Sequence, residues 1–182
     1  MEIEKTNLKG SFIITPRVFE DERGTFTESF NTKAFAEITG INPVFVQDNQ
    51  SISKYGVVRG LHGQLGEMAQ AKLVRVIKGK VLDVAVDMRR ESETFGQHFS
   101  IILSAENRKQ LFVPRGFLHG FSVLEDDSIF AYKCDNFYDK ESEAGIVYND
   151  ATLGIDWHLE DDVMIVSEKD AVLPSFKEMY KK

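Results

Sequence analysis

The stretch that decides the fold is YGVVRGLHGQLGEMAQAKLVRVIKGKVLDVAVD, residues 55–87. In two of its segments, residues 72–77 and 80–87, Val, Leu or Ile recurs at every second position, and Lys78-Gly79 forms a hinge between them. That period is typical of half-buried strands. A basic residue or histidine on the inward face of such a sheet would point into a cavity, because burying it without a partner costs several kcal/mol. We therefore expect a ligand site along this stretch.

Length and composition restrict the class of protein. The 182 residues suffice for one domain with a sizeable core, which we assign to residues 1–182. The net charge of −7 argues against nucleic acid or an anionic membrane as the main partner. A single cysteine, Cys134, excludes an internal disulfide framework and fits a reducing compartment. With no apolar run of membrane-spanning length and no leader pattern, the sequence predicts a cytoplasmic protein.

Short alternating segments recur along the rest of the chain, separated by Gly, Pro and Asn turns. The further strand candidates are residues 11–18, 25–30, 44–47, 95–103, 110–113, 120–124 and 128–137. Helix candidates are few: residues 31–39, with Asn31 or Thr32 as N-cap and Gly40 as the stop, and a terminal helix from Ser175. This pattern predicts a mainly β sandwich or barrel with little helix.

Two of the four histidines lie among glycines. His62 follows Gly60 and precedes Gly63, and His119 lies between Gly116 and Gly120, so we expect both in tight turns beside strands. An imidazole in such a turn could meet a ligand, although packing alone could also explain either residue. The other two histidines, at positions 98 and 158, lack this setting and are assigned to the surface or to packing.

Basic, aromatic and acidic residues complete the set of candidates. The basic residues around the central stretch are Arg23, Arg59, Lys72 and Arg75. In an acidic chain, their clustering would suit an anionic ligand such as a phosphate. Tyr132 shares a predicted strand face with Phe130 and Cys134, which is the pattern of a core tyrosine. Near the C-terminus, Asp170 could orient an imidazole for proton transfer.

Several motifs, taken in order, resemble those of one family. They are DERGTFTESF (21–30), RGLHGQ (59–64), QAKLVRVIKGKVLDVAVDMR (70–89), FGQHFSIILSAENRKQLFVPRGFLHGF (95–121), YKCDNFYDKESEAGIVYND (132–150), LGIDW (153–157) and SEKD (167–170). Over essentially its whole length, the sequence is similar to the dTDP-4-dehydrorhamnose 3,5-epimerase family of the cupin superfamily. The resemblance implies a small cupin-type jelly-roll β-barrel or sandwich with a few short helices.

The resemblance also implies a reaction. Family members invert C3 and C5 of a 4-keto-6-deoxy-glucose carried on thymidine diphosphate, a step in dTDP-L-rhamnose biosynthesis. His62 matches the family's base, and Asp170 matches the carboxylate that orients it. Lys72 matches the residue that stabilises the enolate, and Tyr132 resembles the general acid on the opposite face. No cofactor is implied, because the substrate's own ketone is the electron sink.

A substrate-binding set follows from the same resemblance. Its members are Arg23, Glu28, Gln47, Asp48, Asn49, Arg59, His119, Tyr138, Glu143 and Lys169. Arg59 would be the main diphosphate partner with Arg23 assisting, and Tyr138 would stack on thymine. In the family the N-terminal strands reach across a dimer, so Arg23 and Glu28 would serve the neighbouring subunit's site. We therefore expect a homodimer.

Four positions depart from the family's usual pattern. Gly63 stands where a bulky aromatic is usual, Tyr148 where Trp is usual, Leu118 where Ala is usual, and Glu93 where Pro is common. Gly63 could widen the pocket or loosen the histidine before it. The alternatives within this fold are therefore an epimerase of C3 or C5 alone, or a 3,4-ketoisomerase, on a related dTDP-keto sugar. The retained Tyr132 favours epimerisation, because an isomerase needs no acid opposite the base.

Two alternatives come from other functional classes. A metal-dependent cupin typically uses a His-x-His pair with a nearby Glu and a distant His, whereas this pair reads His62-Gly63-Gln64, with Glu67 near the carboxylate position. One Gln in place of a His gives a poor transition-metal cage, so we expect no metal. The second alternative, a non-catalytic sugar-binding cupin, is disfavoured by the complete set of proton-transfer residues.

Overall fold

The computed structural model describes residues 1–180 as fourteen short strands and three short α-helices. The strands are β1 (Glu2–Lys5), β2 (Phe12–Thr15), β3 (Val18–Asp21), β4 (Gly24–Thr27), β5 (Gln47–Ser53), β6 (Val57–Gln64), β7 (Lys72–Lys78), β8 (Lys80–Asp87), β9 (His98–Ser104), β10 (Gln110–Val113), β11 (Phe117–Val123), β12 (Ser128–Cys134), β13 (Glu143–Gly145) and β14 (Ile165–Val166). The helices are α1 (Thr32–Thr39), α2 (Glu168–Ala171) and α3 (Phe176–Met179). Across these 180 residues, none of the helices has the length and apolar character needed to cross a membrane.

Two largely antiparallel sheets pack face to face. The first sheet has the strand order β1-β2-β10-β7-β12-β5. The second has the order β13-β6-β11-β8-β9, and β14 joins it parallel to β6. β3 and β4 form a separate hairpin. Many neighbouring strands are distant in sequence, as in a jelly roll. The prediction of a mainly β sandwich with a few short helices is confirmed.

One core cluster lies between the two sheets, because strands of both contribute to it. Its buried members include Val74, Val81, Ala85, Phe121 and Phe130. The opposite face of β8, represented by Leu82, packs against the C-terminal third of the chain, including Trp157. β8 is therefore covered on both sides, which explains why its sequence is apolar almost throughout.

The central stretch and the first helix form much as predicted. β7 and β8 occupy the two alternating segments, and the hinge at Gly79 carries the chain from the first sheet to the second. In α1, the Asn31 side chain accepts a hydrogen bond from the Ala34 amide, and Gly40 ends the helix in the left-handed region at a φ of 74°. The helix buries Phe35 completely against the first sheet.

The predicted strand at residues 44–47 is wrong. Residues 44–46 are irregular, and β5 begins at Gln47 and runs through the polar sequence QDNQSIS. This strand pairs with β12 along its whole length, from Gln47 opposite Cys134 to Ser53 opposite Ser128. Non-local backbone pairing thus outweighs the low strand propensity of Asp, Asn and Ser.

Several strand boundaries also differ from the prediction. The strand expected at residues 11–18 is split into β2 and β3 at Pro16, which cannot donate a backbone hydrogen bond. β4 ends at Thr27 rather than at residue 30, β9 begins at His98 rather than at residue 95, and β12 ends at Cys134 rather than at residue 137.

The expectation that both glycine-flanked histidines lie in tight turns is wrong as well. His62 lies within β6 and His119 within β11, and the two residues are paired across these adjacent strands. The glycines around them serve close strand packing: a Cβ at Gly60 would lie 2.6 Å from the Cα of Gly120. Their spacing in the sequence resembles that of a turn, although the backbone is extended.

Candidate active site

An open cavity of about 620 Å³ lies between the two sheets and contains most of the predicted site. The predicted residues on its wall are Asn49, Arg59, His62, Lys72, His119, Tyr132, Lys169 and Asp170. They come from β5, β7 and β12 of the first sheet, from β6 and β11 of the second, and from α2. The structure thus brings together all four predicted catalytic residues.

A bulge in β6 turns two of these residues toward the cavity. In a regular strand, residues three apart face opposite sides of the sheet, yet Arg59 and His62 both line the cavity. Between them β6 advances three residues while the paired β11 advances two. The bulge contains Gly60, whose φ is 115° and whose Cα–H side faces the backbone of Gly120. A side chain would not fit there.

His62 and Asp170 form a hydrogen-bonded pair. The Nε2 atom of His62 lies 2.7 Å from Oδ1 of Asp170. The His62 side chain is 39% exposed and that of Asp170 only 6%, so the carboxylate lies behind an accessible imidazole. Asp170 is held by the short helix α2, whose N-cap Ser167 accepts a hydrogen bond from the Asp170 amide at 3.1 Å. This is the arrangement of a histidine base with an orienting carboxylate.

Lys72 and Tyr132 lie on the opposite wall, in the first sheet. The Nζ atom of Lys72 is 5.6 Å from the centroid of the Tyr132 ring. Burial lowers the pKa of Lys72, and the nearby Cys134 and Asp83 act in the opposite direction. Burial also raises the pKa of Tyr132, which favours the protonated phenol. The imidazole of His62 and the phenol of Tyr132 therefore face the cavity from two different sheets.

A second His–Asp pair lies beside the first. His119 Nε2 is 2.8 Å from Oδ2 of Asp83, and their side chains are only 7% and 0% exposed. The other carboxylate oxygen of Asp83 has no hydrogen-bond partner within residues 1–180. Asp83 was not among the residues predicted from the sequence. The signal was available: it is a charged residue at an inward position of β8, between the apolar residues Val81 and Ala85.

Three predicted binding residues form a hydrogen-bonded group at the rim of the cavity. The Tyr138 hydroxyl donates to Glu143 at 3.1 Å, and Lys169 Nζ donates to the other oxygen of Glu143 at 2.8 Å. The bond from Lys169 lowers the pKa of Glu143, and Glu143 raises the pKa of Lys169. Tyr138 is 57% exposed, and its amide donates to Oε1 of Gln47 at 3.2 Å. An exposed ring face beside the cavity is available for stacking.

Because side chains alternate along β5 and β7, some of the predicted residues lie on opposite faces of the first sheet. Asn49 lines the cavity, and Oδ1 of Asn49 accepts a hydrogen bond from Gln47 Nε2 at 3.1 Å. Asp48 is exposed on the opposite face of β5, where its carboxylate binds Lys133 Nζ at 2.9 Å. Arg75 is likewise exposed on the outer face of β7. The side chains of Asp48 and Arg75 are thus outside the cavity.

Arg23 and Glu28 are not brought to the cavity of their own chain. Arg23 lies in the turn between β3 and β4, is 85% exposed and pairs with Asp21 at 2.6 Å. Glu28 follows β4 and accepts a hydrogen bond from Asn31 at 3.2 Å. Both residues belong to a hairpin that is separate from the two sheets.

Neither Gly63 nor Gln64 lines the open cavity. A Cβ at Gly63 would lie 2.5 Å from the Phe117 carbonyl oxygen and 3.1 Å from a methyl of Leu118, so this glycine does not widen the cavity. Gln64 is buried, and its amide hydrogen bonds go to backbone groups. In the described part of the chain, no group of three or more His, Cys, Asp or Glu residues is placed to hold a metal ion.

Comparison with known proteins gives the family. A profile of the family described as dTDP-4-dehydrorhamnose 3,5-epimerase matches residues 5–178. The chain belongs to this family. The family resemblance and the cupin-type fold predicted from the sequence motifs are confirmed, and with them an isomerase of the nucleotide-sugar epimerase type.

Individual epimerases of the family resemble the chain over nearly its full length. The dTDP-4-dehydrorhamnose 3,5-epimerase of Methanothermobacter thermautotrophicus is 52% identical over 167 residues, covering 91% of this chain and 89% of that protein. The crystal structure of the enzyme from Elizabethkingia anophelis is 57% identical with a TM-score of 0.95, covering 98% of this chain and 97% of the other. The Legionella pneumophila epimerase in complex with dTDP-4-keto-L-rhamnose is 48% identical with a TM-score of 0.92, covering 97% and 93%.

Proposed function

We propose that the chain inverts both C3 and C5 of dTDP-4-keto-6-deoxy-glucose, in dTDP-L-rhamnose biosynthesis. The observation that carries the proposal is the placement of the His62–Asp170 pair and Tyr132 on opposite walls of one cavity. Inversion at carbon needs a base on one face and an acid on the other. The Legionella relative, whose structure contains the 4-keto-L-rhamnose product, supports the identity of the sugar.

The reaction follows from the acidity of carbons beside a ketone. His62 removes the C3 proton, the C–H electron pair moves into the bond to C4, and O4 becomes an enolate oxygen. The Tyr132 hydroxyl then delivers a proton to the opposite face of C3, and the ketone is restored. Exchange with solvent returns a proton to Tyr132 and removes one from His62. The same cycle at C5 completes the double inversion, and neither step requires a redox cofactor.

Electrostatic support comes from the residues behind the two proton-transfer groups. The Asp170 carboxylate stabilises the imidazolium that forms when His62 takes up a proton. Lys72, half-buried beside Tyr132, stabilises the enolate oxygen. A charge-assisted donor in such a site contributes about 3 kcal/mol to transition-state stabilisation.

The nucleotide occupies the polar end of the cavity and its rim in this proposal. Arg59, whose guanidinium is anchored to Ser53 Oγ at 3.3 Å, binds the diphosphate. The exposed ring of Tyr138 stacks on thymine, while Lys169 and Glu143 fix the rim beside it. Asn49 and His119 contact the sugar from the cavity wall.

We also propose a homodimer in which Arg23 and Glu28 complete the partner's site. The β3–β4 hairpin supports this arrangement, because it leaves Phe19 and Phe26 exposed at 49% and 68%. A two-stranded hairpin that joins neither sheet is marginally stable alone, so a second copy that covers its apolar side chains would stabilise it. A dimer acting in the cytoplasm fits the single buried, unpaired Cys134.

The first test is NMR of the protein with dTDP-4-keto-6-deoxy-glucose in deuterated water. We expect deuterium to replace hydrogen at both C3 and C5, and His62→Ala to abolish both exchanges. Tyr132→Phe should leave exchange partly active while blocking net inversion, because the base remains and the opposite acid is lost. Exchange at one carbon alone would instead assign a single-site epimerase. No exchange at either carbon would reject the proposed reaction.

The dimer is tested by complementation between inactive variants. Arg23→Ala and His62→Ala proteins are each expected to lose activity, and mixing them after subunit exchange should restore roughly a quarter of the sites. That recovery arises because a mixed dimer carries one site with its own His62 and the partner's Arg23. Recovery is not expected if Arg23 serves the site of its own chain, or if the protein is monomeric by light scattering.

A further inference from the structure

Gln64 binds the loop that carries Tyr138 on both sides of that tyrosine. Its Nε2 donates to the Phe137 carbonyl at 3.0 Å and to the Met68 carbonyl at 2.6 Å. Its Oε1 accepts from the Asp139 amide at 2.8 Å. The residue is only 4% exposed, and both donor hydrogens and the acceptor are used. One buried amide thus fixes the backbone before and after Tyr138.

The ring of Tyr138 has little else to hold it. It is 57% exposed, and within residues 1–180 its side chain makes one hydrogen bond, to Glu143. A neighbouring aromatic, Phe137, is 61% exposed, so the loop contributes no buried anchor of its own at these two positions. The position of the ring therefore depends mainly on the backbone bonds from Gln64 and from Gln47. A mobile ring would lose conformational entropy on stacking, which weakens binding.

The same amide links the loop to the catalytic strand. Gln64 is the last residue of β6, two positions after His62. We propose that Gln64 is a positioning residue that sets the place of Tyr138 relative to His62, and so aligns the nucleotide base with the sugar carbon that reacts. This inference rests on the proposed function, in which Tyr138 stacks on thymine. It gives Gln64 a role in nucleotide binding, although its side chain does not line the substrate cavity.

Gln64→Met tests the inference, because methionine has a similar length and neither donates nor accepts these bonds. We expect the dissociation constant for thymidine diphosphate, measured by calorimetry, to rise about tenfold, as for partial loss of one base-stacking interaction. The Michaelis constant should rise in parallel, while kcat at saturating substrate changes by less than about threefold. The matched control is Gln70→Met, which removes a single 2.9 Å bond to the Asn136 carbonyl in the same loop, and its binding should stay at the wild-type value.

A double-variant cycle with Tyr138→Ala separates positioning from general loosening. If Gln64 acts through the ring, Gln64→Met should weaken binding much less in the Tyr138→Ala background than in the wild type. Equal weakening in both backgrounds would overturn the inference, as would wild-type binding by Gln64→Met. If Gln64→Met does not fold, Gln64→Glu serves instead, because it keeps the shape and the acceptor but loses both donors.

Failure of the inference can be told from failure of the proposed function. Should Tyr138→Ala alone bind thymidine diphosphate as the wild type does, the stacking role of Tyr138 is wrong, and the inference is rejected with it. Should Tyr138→Ala bind weakly while Gln64→Met and Gln64→Glu bind normally, the stacking role stands and only the positioning role of Gln64 is rejected.

Discussion

The two His–Asp pairs of the second sheet are similar in geometry and different in surroundings. His62 and His119 are opposite each other on adjacent strands, and each has its Nε2 within 2.8 Å of a carboxylate oxygen. The His62 side chain is 39% exposed, whereas that of His119 is 7% exposed. In the proposed function, the more exposed His62 therefore exchanges protons with the substrate, whereas the nearly buried His119 contacts the sugar as part of the cavity wall. Access to the cavity decides between these roles.

The carboxylates of the two pairs also come from different kinds of element. Asp170 comes from the short helix α2, 108 residues beyond its histidine, whereas Asp83 lies in the central strand β8. Asp83 has one oxygen without a hydrogen bond among residues 1–180. Burial lowers the pKa of Lys72, and Cys134 and Asp83 act in the opposite direction. In the proposed mechanism the inner pair, His119–Asp83, therefore influences Lys72 electrostatically, whereas the outer pair, His62–Asp170, meets the substrate directly.

The largest effect is expected when His62, the histidine of the outer pair, is removed. His62→Ala should slow deuterium incorporation at C3 about a thousandfold, because it removes the general base. Added imidazole should restore part of the rate, since the vacated position is open to the cavity. His119→Ala should show no such rescue, because its position is closed. His158→Ala, at an exposed position away from the cavity, is the control and should keep the wild-type rate. Rescue of His119→Ala by imidazole would contradict the comparison.

The second prediction concerns the free energy of unfolding, for which the inner pair should matter more than the outer pair. His119→Leu should lower the free energy of unfolding by about 3 kcal/mol, because it leaves the buried Asp83 carboxyl without its partner. His62→Leu should cost less than about 1 kcal/mol, because water from the cavity can reach Asp170 once the imidazole is gone. Urea denaturation at one fixed protein concentration measures both. Equal losses would show that burial does not distinguish the pairs.

How much of this could be predicted from the sequence depended on whether the determining contacts were local. The alternation in β7 and β8 and the caps of α1 at Asn31 and Gly40 are local signals, and they predicted these elements well. β5 could not be predicted, because its polar residues form a strand only through pairing with β12, about eighty residues later. The predicted strand boundaries were wrong where Pro16, or the end of the neighbouring strand, ends the backbone pairing.

The predictions for the site divide in the same way between local and non-local contacts. A ligand site was expected along residues 55–87, and Lys72 and His62 of this stretch do line the cavity. The bulge that turns Arg59 to the same side as His62 had no signal in the spacing alone, since the glycines around it suggested a turn. The contact between His62 and Asp170 was implied by the family resemblance, because no local rule joins residues so distant in sequence. Asp83 was missed because its partner lies on another strand.

A third carboxylate, that of Asp87, lies at the end of the same strand as Asp83, and the pH dependence of its contribution to stability extends the comparison. Asp87 is fully buried, and although burial acts to raise its pKa, hydrogen bonds from Arg89, Ser92 and Thr94 hold that pKa at about 2. The stabilisation is present above the ordinary value near 3.8 and is lost as the pH falls toward 2. Asp87→Asn should therefore cost about 2 kcal/mol at pH 6 and progressively less below pH 4.

Urea denaturation of the wild type and the Asp87→Asn variant at pH 6 and pH 3 checks this prediction. A difference between the two proteins that stays constant over this range would mean that the bonds to Asp87 do not depend on its charge.

The smallest effect is expected at the cap that supports the outer pair. Ser167→Ala removes the side-chain acceptor at the N-terminus of α2, which should cost about 1 kcal/mol of local stability. Because Asp170 lies in that single helical turn, we expect roughly a threefold fall in kcat as the orientation of His62 loosens. Ser175→Ala removes the equivalent cap of α3, away from the cavity, and should give a similar loss of stability at the wild-type rate. If both variants slow the reaction equally, the effect comes from general loosening of the C-terminal region. If only Ser167→Ala slows it, the outer pair depends on a peripheral helix for its geometry, and the inner pair, built into the central strands, needs no such support.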